Sequence, residues 1–159
     1  MLGRGTSFRL VFPAYHEALP QAAPQADETP RTRARLLVVD DEPLVRTTLL
    51  RLLRLRGHEV VEAVGGEDAL ARDDLDSFDA ILTDLGMPGM NGRTLATTLR
   101  ARFPHLPIVL LTGDTEPGEP DDVISAVLAK PFRTDDLDGL VQRLLRREKG
   151  RQGEKASVA

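Results

Sequence analysis

Four short apolar runs each end on a residue suited to phosphate or metal chemistry: Asp40 and Asp41, Asp84, Thr112, and Lys130. Three carboxylates brought to one place repel, so some must hold protons unless a cation neutralises them. Hard oxygen donors favour Mg²⁺, which needs one or two carboxylates, waters and phosphate oxygens rather than a complete protein cage. Asp41 and Asp84 are the expected direct ligands, with the backbone carbonyl of Gly86 as a third. Asp40 is expected to act through a metal-bound water. A carboxylate beside such a metal can attack phosphorus and form an aspartyl phosphate. Asp84 is the candidate nucleophile, because it ends a strand and opens onto a glycine-rich loop. Lys130 would supply a second cation, and Thr112 a hydroxyl to one phosphoryl oxygen, which is the positioning and charge neutralisation that phosphoryl transfer requires.

Distant residues can meet only if the elements carrying them share an edge. Leu36 to Val39, Ala80 to Thr83, Ile108 to Leu111 and Val127 to Ala129 have the length and branched content of buried strands, and helical patterns lie between most of them. This is the pattern of parallel βα units, in which ligands bind outside the carboxyl ends of the strands. A further strand is expected at Glu59 to Ala63. Helix one is expected from Pro43, with Asp41 as N-cap, a stripe of Val45, Leu49, Leu52 and Leu53, and Gly57 as its stop. A short helix follows at Gly66 to Arg72, and another at Gly92 to Arg102. Gly113, Pro117, Gly118 and Pro120 leave room for only a shortened helix around Asp121 to Ser125, before a strand at Ala126 to Ala129. The last helix is expected to be capped by Thr134 and packed through Leu137, Leu140, Val141, Leu144 and Leu145.

The 159 residues are 41% hydrophobic, which suits one domain with tails. Residues 17–34 carry Pro20, Pro24 and Pro30 without an apolar period and read as a disordered linker; residues 35–148 form the domain and 149–159 a disordered tail. Zero cysteines exclude disulfides, thiolate zinc sites and cysteine nucleophiles. No apolar stretch reaches membrane-spanning length and no secretory segment is evident, so the expectation is a cytoplasmic protein without a membrane partner. Residues 35–147 hold 14 Lys and Arg against 20 Asp and Glu, an acidic balance that argues against nucleic-acid binding by this chain alone. His16, His58 and His105 lie apart and read as exposed histidines. Met87 and Met90 read as packing, and the arginines at 51, 54, 56, 143, 146 and 147 as solvated helix faces.

LLVVDDEP at 36–43, DLGMPGMNG at 84–92, LLTGD at 110–114 and AKPF at 129–132 resemble the response-regulator receiver domain of two-component signalling and phosphorelays. The resemblance covers roughly Arg35 to Arg147. It implies a flavodoxin-like, doubly wound five-stranded parallel sheet of order 2-1-3-4-5 with helices on both faces. It also implies Mg²⁺-dependent phosphoryl transfer from the phosphohistidine of a histidine kinase or phosphotransfer protein onto Asp84. Asp40 and Asp41 would form the acidic pocket, Thr112 the switch and Lys130 the phosphate contact. Where the family usually has an aromatic three residues before the lysine, this chain has Val127. GRGTSFRLVFPA at 3–14 resembles the end of a histidine-kinase ATP-binding domain, so residues 1–16 are read as its remnant and the chain as the C-terminal receiver of a hybrid kinase. Two alternatives stand beside the phosphoacceptor: a pseudo-receiver docking module without phosphotransfer, and a Mg²⁺-dependent phosphohydrolase for which Asp114 is the only nearby acid/base.

Overall fold

Leu36, Leu37, Val38 and Val39 are all fully buried, so both faces of this strand are covered. That is the environment of a parallel strand between two helical layers. A computed structural model describes residues 32–114 and 118–156. Its strands are β1 (Arg35–Val39), β2 (Glu59–Ala63), β3 (Ala80–Asp84), β4 (Ile108–Thr112) and β5 (Ala126–Ala129), interleaved with helices α1 (Pro43–Leu55), α2 (Gly66–Leu70), α3 (Gly92–Arg102) and α4 (Thr134–Ala156). All strand pairs are parallel and the sheet order is β2-β1-β3-β4-β5, as the resemblance implied.

Alternate residues of each strand feed opposite cores, as a two-residue side-chain period demands. Leu36, Val38, Leu82, Val109 and Leu111 pack with Leu49, Leu50 and Leu53 of α1 and Leu137, Val141, Leu144 and Leu145 of α4. Leu37, Val39, Ile81, Ile108 and Leu110 pack with Ala69 of α2 and Leu95, Ala96 and Leu99 of α3. Each large side chain so buried contributes about 1.5–3 kcal/mol.

Several local expectations are corrected. The N-cap of α1 is Glu42 rather than Asp41, with Pro43 in the first turn. Its buried residues include Leu50 where Leu52 was expected: Leu50 lies on the side of α1 toward Glu62 of β2, and Leu52 on the side toward Phe132 and Thr134. Gly57 follows α1 at φ +90, a conformation that favours glycine. The second helix ends at Leu70 rather than Arg72, and a 3₁₀ turn at Leu75–Ser77 leads into β3. α4 begins with Thr134 as its first residue, not its cap; the N–H of Arg133 before it donates to Asp136 Oδ2 at 3.2 Å. The helix continues beyond Lys149 to Ala156, through a stretch that contains no proline to end it.

No helix forms at Asp121 to Ser125. The Asp121 carboxylate takes the N–H groups of Val123 (2.9 Å) and Ile124 (2.8 Å), which is the competition by which a short acidic side chain diverts backbone from a helix. Gly118 at φ +71 and Pro120 precede it. Arg100 of α3 holds this segment through the Val123 carbonyl (2.9 Å) and Ser125 Oγ (3.2 Å), and Arg93 pairs with Asp121. Ile124 is fully buried beneath it.

Thr32 to Ala34, expected in the linker, are held to the domain. The Thr32 amide and carbonyl pair with the side chain of Gln142, both at 3.0 Å, and Ala34 is buried. His58 is buried rather than exposed, with Asp138 of α4 at 3.5 Å. Met87 is buried and Met90 packs against the α2–α3 core. Residues 1–31, with the kinase-like segment, most of the expected linker and His16, lie outside the described residues, as does Pro117.

Candidate functional site

Strand register alone brings the chemistry together. Val39 pairs with Thr83, so the next residues, Asp40 and Asp84, leave adjacent strands side by side. Asp84 pairs with Leu111, which places Thr112 one step beyond; Thr112 pairs with Ala129, which places Lys130 one step beyond that. Four neighbouring strands therefore present Asp40, Asp84, Thr112 and Lys130 along one sheet edge. At about 4.8 Å per strand, only a long, flexible side chain can reach from β5 back to β3 and β1. Lys130 does so: its Nζ lies 2.6 Å from Asp84 Oδ1 and 3.2 Å from Asp40 Oδ2.

The Lys130–Pro131 peptide bond is cis, and the Lys130 amide donates to the Thr112 carbonyl at 2.6 Å. Asp84 is held at its other oxygen by the Gly86 amide, 2.7 Å from Oδ2. Each carboxylate oxygen keeps a further lone pair, so neither contact removes its capacity to act as a nucleophile. Thr112, 1% exposed, accepts the Asp114 amide at Oγ1 (3.0 Å), which leaves its hydroxyl proton available to a new acceptor. Burial alone would lower the pKa of Lys130. The hydrogen bond to Asp84, the charges of Asp40 and Asp84, and the bond to Asp40 outweigh it, and the ammonium is held above the ordinary lysine range.

Asp40 and Asp41 play different parts. Asp40 is 1% exposed, and its Oδ1 accepts the Glu42 amide at 2.9 Å while Oδ2 faces Lys130. Asp41 is exposed at the same strand end. Among the described residues no three Asp, Glu or His side chains converge as a metal-holding cluster, so the three acids expected from sequence do not close into a cage. The donor set nevertheless fits Mg²⁺: two carboxylates at a strand edge that already gathers a cation, with room for waters and phosphoryl oxygens, are the hard, incomplete coordination this ion uses.

Sequence reasoning missed what holds Asp84 from behind. Gly92 opens α3 directly against it, and a Cβ on Gly92 would lie 2.1 Å from the Asp84 carbonyl oxygen. The Gly92 amide donates to the Leu85 carbonyl at 3.1 Å. Asn91 caps α3 by accepting the Thr94 amide at 2.8 Å, a signal legible as an Asn just ahead of a helical pattern. The Gly86 amide also holds Asp84, a contact not expected from sequence. Val127, in place of the usual aromatic, is half-buried against the α2–α3 core.

Comparison with known proteins agrees with this geometry. The chain is 36% identical over 117 residues to response regulator protein FleR of Pseudomonas aeruginosa, covering 69% of this chain and 24% of FleR. It is 32% identical over 142 residues to sensor protein EvgS of Escherichia coli K12, covering 85% of this chain and 12% of EvgS. It thus spans a quarter or less of the length of these two relatives. Among solved structures, response regulator protein TrrA from Thermotoga maritima, in complex with Mg²⁺–BeF, superposes with a TM-score of 0.65 at 31% identity, covering 71% of this chain and 99% of TrrA. Residues 36–142 match the family described as the response regulator receiver domain. The chain belongs to that family, the phosphoacceptor domain of two-component signalling.

Proposed function

We propose that Asp84 is the phosphoacceptor, taking a phosphoryl group from the phosphohistidine of a histidine kinase or phosphotransfer protein. The observation that carries this reading is Lys130 Nζ held between Asp84 Oδ1 and Asp40 Oδ2 at the carboxyl edge of the sheet. An Asp84 carboxylate oxygen attacks phosphorus in line, the phosphorus–nitrogen bond of the donor breaks, and its electron pair leaves with the imidazole. The Gly86 amide fixes the attacking carboxylate, which lowers the entropic cost of reaching the reactive geometry. Lys130 can follow charge from the free carboxylate to the phosphoryl oxygens, and the Thr112 hydroxyl can donate to one of them. Bound Mg²⁺, held by Asp41, Asp84 and the Gly86 carbonyl with Asp40 behind a water, would neutralise the remaining phosphoryl charge.

This is signalling by a covalent mark rather than turnover of an external substrate. Asp114, considered for a hydrolase, is exposed and contributes its amide to Thr112, which favours the phosphoacceptor reading. The likeness of residues 3–14 to the end of a kinase ATP-binding domain carries the reading of 1–16 as that end and 17–31 as its linker, and the similarity to a sensor protein over 85% of the chain is in keeping with it. None of the described helices is long and apolar enough to cross a membrane, in keeping with an assignment to the cytoplasm beside such a kinase.

The test is direct. Incubation with Mg²⁺ and a small acyl phosphate should add the mass of one phosphoryl group, and Asp84→Asn should add none. An adduct that persists in Asp84→Asn, or no adduct with any divalent ion, overturns the assignment.

A further inference from the structure

Asp40 has every polar atom engaged. Its amide donates to the Ala63 carbonyl at 3.3 Å, Oδ1 accepts from the Glu42 amide, and Oδ2 accepts from Lys130. Its backbone carbonyl is taken by Arg46, one turn into α1, whose Nη1 lies 2.8 Å away. The other arm of the same guanidinium, Nε, donates to Glu62 Oε2 on β2 at 2.8 Å. The Arg46 side chain is 12% exposed, so the fork is largely removed from water.

We propose that Arg46 is a positioning residue for the acid turn, fixing the Asp40–Asp41 peptide plane so that Asp41 is presented to the divalent ion. The peptide unit is rigid; a hydrogen bond that sets the direction of the Asp40 carbonyl also sets the Asp41 nitrogen and Cα. Arginine suits the task because its planar fork can hold a carbonyl and a carboxylate together. Glu62 orients the fork from the neighbouring strand, so α1, β1 and β2 jointly fix the acid turn. The inference rests on the assignment of the acid turn to Mg²⁺, and deepens it. Residues behind metal ligands commonly change metal affinity by about 10–100-fold when lost.

The experiment compares Arg46→Gln, Arg46→Lys and Glu62→Gln with the unaltered full chain, using two readouts. The first, without metal, is hydrogen exchange at the Glu42 amide, which donates to Asp40 Oδ1. The second is Mg²⁺ affinity by titration, with acyl-phosphate labelling at low and saturating Mg²⁺. Arg46→Gln should speed exchange at the Glu42 amide and weaken Mg²⁺ binding by roughly tenfold, with labelling recovered when the ion is saturating. Arg46→Lys should restore part of the affinity, because one donor can still reach the carbonyl. Glu62→Gln should shift both readouts in the same direction by less. Unchanged exchange and unchanged Mg²⁺ affinity in Arg46→Gln would overturn the proposal, as would a loss confined to global stability. If the unaltered chain bound no Mg²⁺, the metal reading would fail, and Arg46 with it in that role; faster exchange alone would then show only a structural clamp.

Discussion

Replacing Lys130 with methionine keeps an apolar stem of similar length and removes the ammonium that two carboxylates share. The carboxylates of Asp40 and Asp84 are 2% and 14% exposed and the lysine 26%, so the cluster is partly shielded and a surface-pair value understates it. A hydrogen bond to a charged group contributes about 1.5–3 kcal/mol, and two are lost. Residual exposure of the lysine and screening reduce that sum, and the net loss expected at neutral pH without metal is about 2–3 kcal/mol. With a urea m-value of roughly 1–3 kcal/mol/M, the unfolding midpoint should fall by on the order of 1 M.

The pH dependence has a definite sign. Because the folded-state pKa of Lys130 is raised above 10.5, its contribution is complete below that ordinary value and is lost as pH rises through the higher folded value. The stability gap between the native chain and Lys130→Met should therefore be flat through neutral and mildly alkaline pH, then close on the strongly alkaline side. Urea unfolding across that range measures it. Equal stability of the two proteins at pH 7, or a gap that stays constant while lysine deprotonates, would refute the electrostatic account of the site.

Gly92→Ala should destabilise the domain by about 3 kcal/mol, although Gly→Ala inside an exposed helix ordinarily gains about 1 kcal/mol. The new Cβ meets the Asp84 carbonyl oxygen at 2.1 Å and its carbon at 2.9 Å, and thermal unfolding together with acyl-phosphate labelling would reveal both the cost and the displaced aspartate. Arg100→Ala removes the bonds to Val123 and Ser125 that tie the helix-free connection to α3, and a further bond to the Pro104 carbonyl after the helix. A loss of about 1–3 kcal/mol and faster amide exchange at Val123 and Ile124 are expected, with Asp84 labelling retained.

The strands were legible because a buried parallel strand is an uninterrupted branched apolar run, and the ends of those runs carried the reactive side chains. Residue type also singled out Asp84, Thr112 and Lys130 as groups suited to phosphoryl chemistry, and strand register brings them to one sheet edge. What sequence could not determine were choices made by partners distant along the chain. Leu50 replaces Leu52 in the core because it lies on the side of α1 that meets β2, and His58 is buried beside Asp138 of α4. Asp121 diverts two amides from the helix that composition allowed, while Arg100, more than twenty residues away, holds the result in place. The division between Asp40 and Asp41 belongs to the same class: two identical neighbours become a saturated frame and an exposed acid only when Lys130, Arg46 and Ala63 arrive from three other elements. Local pattern determines which residues can form a strand or carry a charge; the direction in which a hydrogen bond is satisfied depends on groups that only the folded chain brings near.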